Sequence, residues 1–176
     1  MIEFQPSAWE KGTYLNVSPQ WLWLRMGAGH TDMVYRVGNF IPFKNAEQFT
    51  PLVEDLAAQA ARRVVELRRQ FQTLADVNDY FASRITGEGY PVYRAAIAAR
   101  LMNDRLTANR LFDRLLHWTP VEWQTKLKSE AVALTRFANR PDQFRKAILT
   151  TIESLRRGLR LPPDPQCLES LAPKGE

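Results

Sequence analysis

The residue pattern changes character near Asn45, and that change limits the fold more than any other feature of the chain. Before it, short aromatic and β-branched runs are broken by Gly and Pro. After it, apolar residues recur at steps of three and four for roughly a hundred residues. Period two is the mark of strands and period 3.6 the mark of amphipathic helices. The expected class is therefore α+β: a short antiparallel β-meander of about three strands packed on a long helix, then a helical-hairpin bundle.

Ile2–Gln5 reads as a short extended run, and Trp9-Glu10-Lys11-Gly12 as a turn. Thr13–Val17 has strand composition. Ser18-Pro19 interrupts it, since Pro cannot donate to a ladder. Gln20–Arg25 is expected to resume extended, with Trp21 and Trp23 on one face and Leu22 and Leu24 on the other. Gly27-Ala28-Gly29-His30 reads as a connection, and Met33–Val37 as the next strand.

Asn45 has the look of a helix N-cap with Gln48 as its capping-box partner. Phe49, Val53, Leu56, Ala60, Val64, Leu67 and Phe71 then form one continuous stripe. Thr73 with Asp76 signals a second cap, and Gly87-Glu88-Gly89 a break. Tyr93, Ile97 and Leu101 define the next stripe; Ala108, Leu111, Phe112 and Leu115 define the one after. The short Asn103-Asp104 joint predicts an αα-hairpin. Thr119-Pro120-Val121-Glu122 predicts a helix start with Thr at the N-cap and Pro at N1. A last helix from Pro141 carries Phe144, Ile148, Ile152, Leu155 and Leu159, and Pro162-Pro163 ends it. These boundaries give one α+β domain over residues 1–161, a meander at 1–44 and a helical layer at 45–161, with a flexible tail at 162–176.

Charge is uneven. Residues 1–59 carry four basic and six acidic side chains, whereas residues 60–160 carry nineteen and ten, a net +9. Arg outnumbers Lys by 18 to 6. Such asymmetry fits a polyanion partner. It equally fits helices that use Arg as a good helix former whose stem covers apolar surface. No apolar run approaches a membrane span. No secretory signal is expected at Met1-Ile2-Glu3-Phe4-Gln5. Cys167 is the single cysteine, so a reducing, cytoplasmic location is expected.

No constellation for catalysis emerges. His30 and His117 have neither a histidine four residues away nor a cysteine partner, so no metal site and no cofactor are expected. His117 fits a helix C-terminus, where a cation complements the dipole. Asp76 and Asp79 share a helix face, but acids are normal in a first helical turn. Gly27-Ala28-Gly29 lacks the third glycine of a dinucleotide loop, and there is no Gly-x-Ser-x-Gly elbow.

Two stretches, taken together, carry a likeness: Phe4-Gln5, Trp9, Gly12 and Tyr14-Leu15-Asn16-Val17, then Tyr93 through Leu116 with its Ala-rich helix and Ala108-Asn109-Arg110-Leu111-Phe112. The first resembles the strand signature of a bacterial domain-of-unknown-function family of small α+β proteins. Some relatives of that family are suspected immunity or accessory proteins of polymorphic toxin systems. The second is similar to one helix pair of a tetratricopeptide-like array. Together they span about two thirds of the chain. Members of that family begin with a further helix and strand before the Phe-Gln segment, which here stands at the start. Either that element is missing, which would leave an apolar sheet edge, or the true start lies upstream. The resemblance supplies no catalytic residues.

The sequence thus leads to a non-enzymatic protein-interaction protein, immunity-like by resemblance. Trp21, Trp23 and Tyr35 are its expected interface, because the Trp21–Leu24 run is apolar on both faces, and the partner is another protein or a second copy through the sheet. The alternative is a nucleic-acid-binding accessory protein using a basic helical surface of Arg62, Arg63, Arg68 and Arg69. No membrane contact is expected.

Overall fold

Ile2–Pro6 (β1), Gly12–Val17 (β2) and Tyr35–Pro42 (β3) form one antiparallel sheet in the order β1-β2-β3. The computed structural model describes residues 1–24 and 33–162, with Trp123 described by its backbone alone. The Gly27–His30 connection, Cys167 and the tail beyond Pro162 lie outside the described residues. The β1–β2 turn is tied by Ser7, whose Oγ accepts from the backbone N–H groups of Trp9 and Glu10, each at 3.2 Å. At the other end the Met1 amine donates to the Ser18 carbonyl at 2.6 Å, and the Ser18 N–H returns a bond to the Met1 carbonyl at 2.9 Å. Burial holds that amine below its usual range.

The ladder stops there, and the expected extended run over Gln20–Arg25 does not form. Leu22–Leu24 is a turn, because Pro19 offers no N–H to continue the pairing. The third strand instead reaches to Pro42 and absorbs an irregularity. Thr13 pairs with Ile41 and Leu15 with Val37, so three residues of β3 face one of β2. Gly38 makes this possible at φ +65, where a Cβ would also stand 2.8 Å from Leu56 Cδ2. Gly12 is needed for space: a Cβ there would lie 2.3 Å from the Ile41 carbonyl oxygen and 2.4 Å from the Phe40 ring.

Ala46–Gln70 (α1) covers one sheet face. Asn45 caps it by accepting the Gln48 N–H at 2.8 Å. The Gln48 side chain reaches back one residue further than expected, to the Lys44 N–H at 3.2 Å. Leu56, Ala60 and Leu67 close on Leu15, Val17, Val37 and Ile41, flanked by Tyr35, Phe49, Val64 and Phe71. Burying a side chain of Leu or Val size contributes about 1.5–3 kcal/mol.

The later helices are Leu74–Ala82 (α2), Tyr90–Leu101 (α3), Arg105–His117 (α4), Thr125–Thr135 (α5) and Pro141–Gly158 (α6). The Thr73–Asp76 capping box is complete on both sides. The αα-hairpin is present, and its joint has a defined chemistry. Asn103 takes φ 63. The Asp104 N–H bonds back to the Ala99 carbonyl at 2.9 Å, while its carboxylate caps α4 through the Thr107 N–H at 3.0 Å. α3 has no single stripe; it is buried at nine of its 12 positions. The helix expected to start at Thr119-Pro120 begins later. Glu122–Gln124 forms one tight 3₁₀ turn, and α5 opens at Thr125. α6 closes before Pro162: Arg160 is left-handed at φ 54, and the Leu161 N–H bonds to the Arg156 carbonyl at 2.9 Å.

Packing divides the chain into two compact units. Of the described residues, one holds 1–21 and 33–72, the other 22–24 and 73–162. The boundary thus lies after Gln72, whereas the sequence pattern changes at residue 44; α1 groups with the sheet it covers. Gly12→Ala, which drives a methyl into backbone, is expected to destabilise by about 1–3 kcal/mol. Gly158→Ala, in a helix with nothing within 4 Å, is expected to stabilise by about 0.5–1 kcal/mol. Urea unfolding of the two variants checks both signs.

Candidate interaction surfaces

β1 is an edge strand, exposed along its whole length. Met1 and Ser18 exchange two hydrogen bonds, and Ser7 donates to Gly12. Odd-numbered residues of β1 therefore bond to β2, and the backbone groups of Ile2 and Phe4 point outward. Pro6, also outward, has no N–H. The side chains of Ile2 and Phe4 lie on the same sheet face as their partners Val17 and Leu15. Those partners are sealed, at 1% and 0% exposure, yet Ile2 is 54% and Phe4 47% exposed. The reason is that α1 packs mainly on β3 and β2. Core-facing residues of β1 are left beside the helix.

This strip leads into a hollow of about 340 Å³ lined by Met1, Val17, Trp21, Val64, Arg68 and Phe71, among others. Trp9, in the β1–β2 turn, is 96% exposed. Exposed large aromatics are favoured at protein interfaces. None of these three exposed residues was singled out from sequence as interface. The available signal was the Ile2/Phe4 alternation on the first strand of a meander, which has a neighbour on one side only.

The expected interface residues lie elsewhere. Trp21 is 8% exposed and meets the Phe71 ring edge-on at 5.3 Å; it is core of the sheet unit, a correction to its assignment as interface. Trp23 belongs to the helical unit, where it is half-buried and lines a cleft of about 290 Å³ with Tyr93, Leu134, Phe137 and Ile148. Its buried Nε1 has no hydrogen-bond partner among the described residues. The cleft's Thr150 and Thr151 hydroxyls donate to their own helix, to the Lys146 and Ala147 carbonyls. Tyr35 is half-buried under Arg63, whose guanidinium stands 3.8 Å from the ring centre.

The four candidate cations do not make one surface. Successive helical residues turn by about 100°, so Arg62 and Arg69, seven apart, share a face, while Arg63 and Arg68 lie to either side of it. Arg62 and Arg63 line a polar hollow of about 410 Å³ with Tyr35, Arg36, Gln59 and Glu66. Within it Arg63 is paired to Glu66 at 2.6 Å, and Arg36 stacks on Tyr14 at 3.8 Å. Arg68 lines the hollow beside Trp21, and Arg69 is exposed.

His117 closes α4 as expected, its Nδ1 2.9 Å from the Asp113 carbonyl. Among the described residues no three His, Cys, Asp or Glu side chains gather as a metal would require, and no helix is long and apolar enough to cross a membrane. Trp21→Ser is expected to cost about 3–5 kcal/mol, as a buried large-to-small change. Trp9→Ser should stay within about 0.5 kcal/mol; equal urea midpoints for the two would contradict this placement. Compared with known proteins, the chain matches no family model, no curated protein and no solved structure.

Proposed function

We propose that this protein acts by binding another protein, not by chemistry, and that the partner adds an extended segment to the free edge of β1. The observation that carries the reading is the exposure of Ile2 and Phe4 on the face where Leu15, Val17, Val37 and Ile41 are sealed. A strand added there gains main-chain hydrogen bonds from the outward groups of both residues, and its apolar side chains extend the covered face. The window is short, because Pro6 ends the run of donors.

A partner of different sequence fits better than a second copy. In a symmetric antiparallel pair that used the outward groups of both Ile2 and Phe4, Glu3 would stand opposite its own copy. Like charges directly opposed on neighbouring strands are destabilising. A partner strand with apolar residues flanking a Lys or Arg meets no such penalty. An immunity-like role, in which a partner protein is held by such an edge, is the biological form of this reading. The single cysteine fits a reducing compartment such as the cytoplasm.

A second reading rests on the polar hollow of Arg36, Arg62 and Arg63, which offers guanidinium groups to a polyanion such as nucleic acid. Glu66 offsets part of that charge. The two readings separate by salt. Protein captured through β1 remains at high salt and is lost in Phe4→Lys, because the apolar strip and its desolvation are removed. Nucleic acid held by the hollow is released as salt rises and weakens in Arg36→Gln. Tagged protein, purified at low and high salt and compared with both variants, decides between them; retention of the protein partner by Phe4→Lys sinks the edge-strand reading.

A further inference from the structure

The α3–α4 joint gathers two arginines about a third, which is buried. Arg100, in the last turn of α3, is 5% exposed. Its Nε donates to the Ala138 carbonyl at 2.8 Å, and its guanidinium stands 5.8 Å from the Phe144 ring centre. Among the described residues no carboxylate pairs with it. A guanidinium does not lose its proton in a protein, and buried charges ordinarily have a counter-charge.

The charged neighbours here have the same sign. Arg105 is the first residue of α4, two positions past Asn103. Arg145 of α6 is tied to the joint by donating from Nη2 to Asn103 Oδ1 at 3.3 Å. Burial, then Arg145, then Arg105 push the Arg100 pKa down. The acid of the joint, Asp104, is committed to capping α4; its bonds from Thr107 hold its pKa below the usual range, with Arg110 adding to the effect. A scaffold role explains the bond from Arg100 to Ala138. It does not explain why Arg105 and Arg145 both flank the same joint, one opening α4 and the other bonded to Asn103.

We propose that this joint binds a phosphate-type oxyanion, held by Arg100, Arg105 and Arg145. Arg100 supplies a rigid donor whose Nε is already fixed, leaving its terminal nitrogens for a ligand. Arg105 and Arg145, at the surface, close on it from α4 and α6. Three guanidiniums suit a tetrahedral group with several charged oxygens, whereas a carboxylate is satisfied by one bidentate arginine. The oxyanion is either that of a small phosphate compound or the backbone phosphate of a nucleic acid. The proposal is independent of the β1 edge and of the Arg36–Arg63 hollow.

The test is calorimetric titration of the full chain at constant ionic strength with inorganic pyrophosphate, with a short single-stranded oligonucleotide, and with acetate as a control. The variants are the double change Arg105→Gln with Arg145→Gln, and Lys126→Gln, an exposed cation of α5, as a control outside the joint. We expect saturable pyrophosphate binding, weakened at least tenfold by the double variant and unchanged in Lys126→Gln. Oligonucleotide binding with the same loss assigns the site to backbone phosphate; pyrophosphate binding alone assigns it to a small ligand. The ligand-free double variant should also melt at or above the wild-type temperature, because like charges have been removed; a scaffold role predicts a lower one. No saturable binding of either probe, or binding indifferent to the double variant, overturns the proposal.

Discussion

A helix with its side chains is about 10 Å across, and neighbouring strands stand about 4.8 Å apart. One helix laid on a three-stranded sheet therefore covers two strands well and the third poorly. Everything distinctive about the sheet unit follows from this mismatch of widths. α1 sits over β3 and β2, so Leu15, Val17, Val37 and Ile41 are sealed. β1, paired to the far side of β2, carries the same face outward past the helix. Its Ile2 and Phe4 have the orientation of core residues and the exposure of surface ones. A second helix or a further strand would remove that conflict; among the described residues of the unit there is neither.

The helical unit meets the opposite problem, how to bring several helices onto one. Its solution is small side chains. Ala95, Ala96, Ala98 and Ala99 are all buried in α3, and each contributes little apolar area by itself. Their size lets neighbouring helices approach, so that Leu111, Phe112, Leu115, Phe144, Ile148 and Ile152 close around them. Phe112 and Phe144 meet edge-to-face at 6.2 Å. A helix buried at nine of its 12 positions has little solvent face on which to place a cation. Arg100 comes one residue after the alanine run and is therefore drawn inside with it, which is how a basic residue in an ordinary amphipathic context becomes a buried charge.

Local signals in the sequence were legible where local chemistry decides the outcome. The Asn45 and Thr73 caps, the Asn103-Asp104 joint and the Phe144, Ile148 and Ile152 positions of the α6 stripe all depend on side chains within four residues of one another. Where tertiary contacts decide, the reading failed. The alternation of Trp21-Leu22-Trp23-Leu24 suits a strand, but the ladder had already closed at Met1–Ser18, and the two tryptophans fall into different packing units. Thr119-Pro120 carries the composition of a helix start, yet α5 opens five residues past Pro120. Alternation in Ile2–Gln5 reveals which residues share a face. It does not reveal how wide the helix above that face is, so the exposed edge was not legible, and neither was the burial of Arg100.

The two proposed surfaces differ in kind. A strand docked at the edge would be held by apolar burial and main-chain hydrogen bonds, both of which tolerate salt, whereas attraction between an exposed cation and an oxyanion is screened over about 8 Å at physiological ionic strength. Glu3 sharpens the division, because an acid in the middle of the edge repels a phosphate backbone and a second copy of the strand alike. On the two proposals taken together, a protein segment at β1 and an oxyanion at the α3–α4 joint would not compete for the same chemistry.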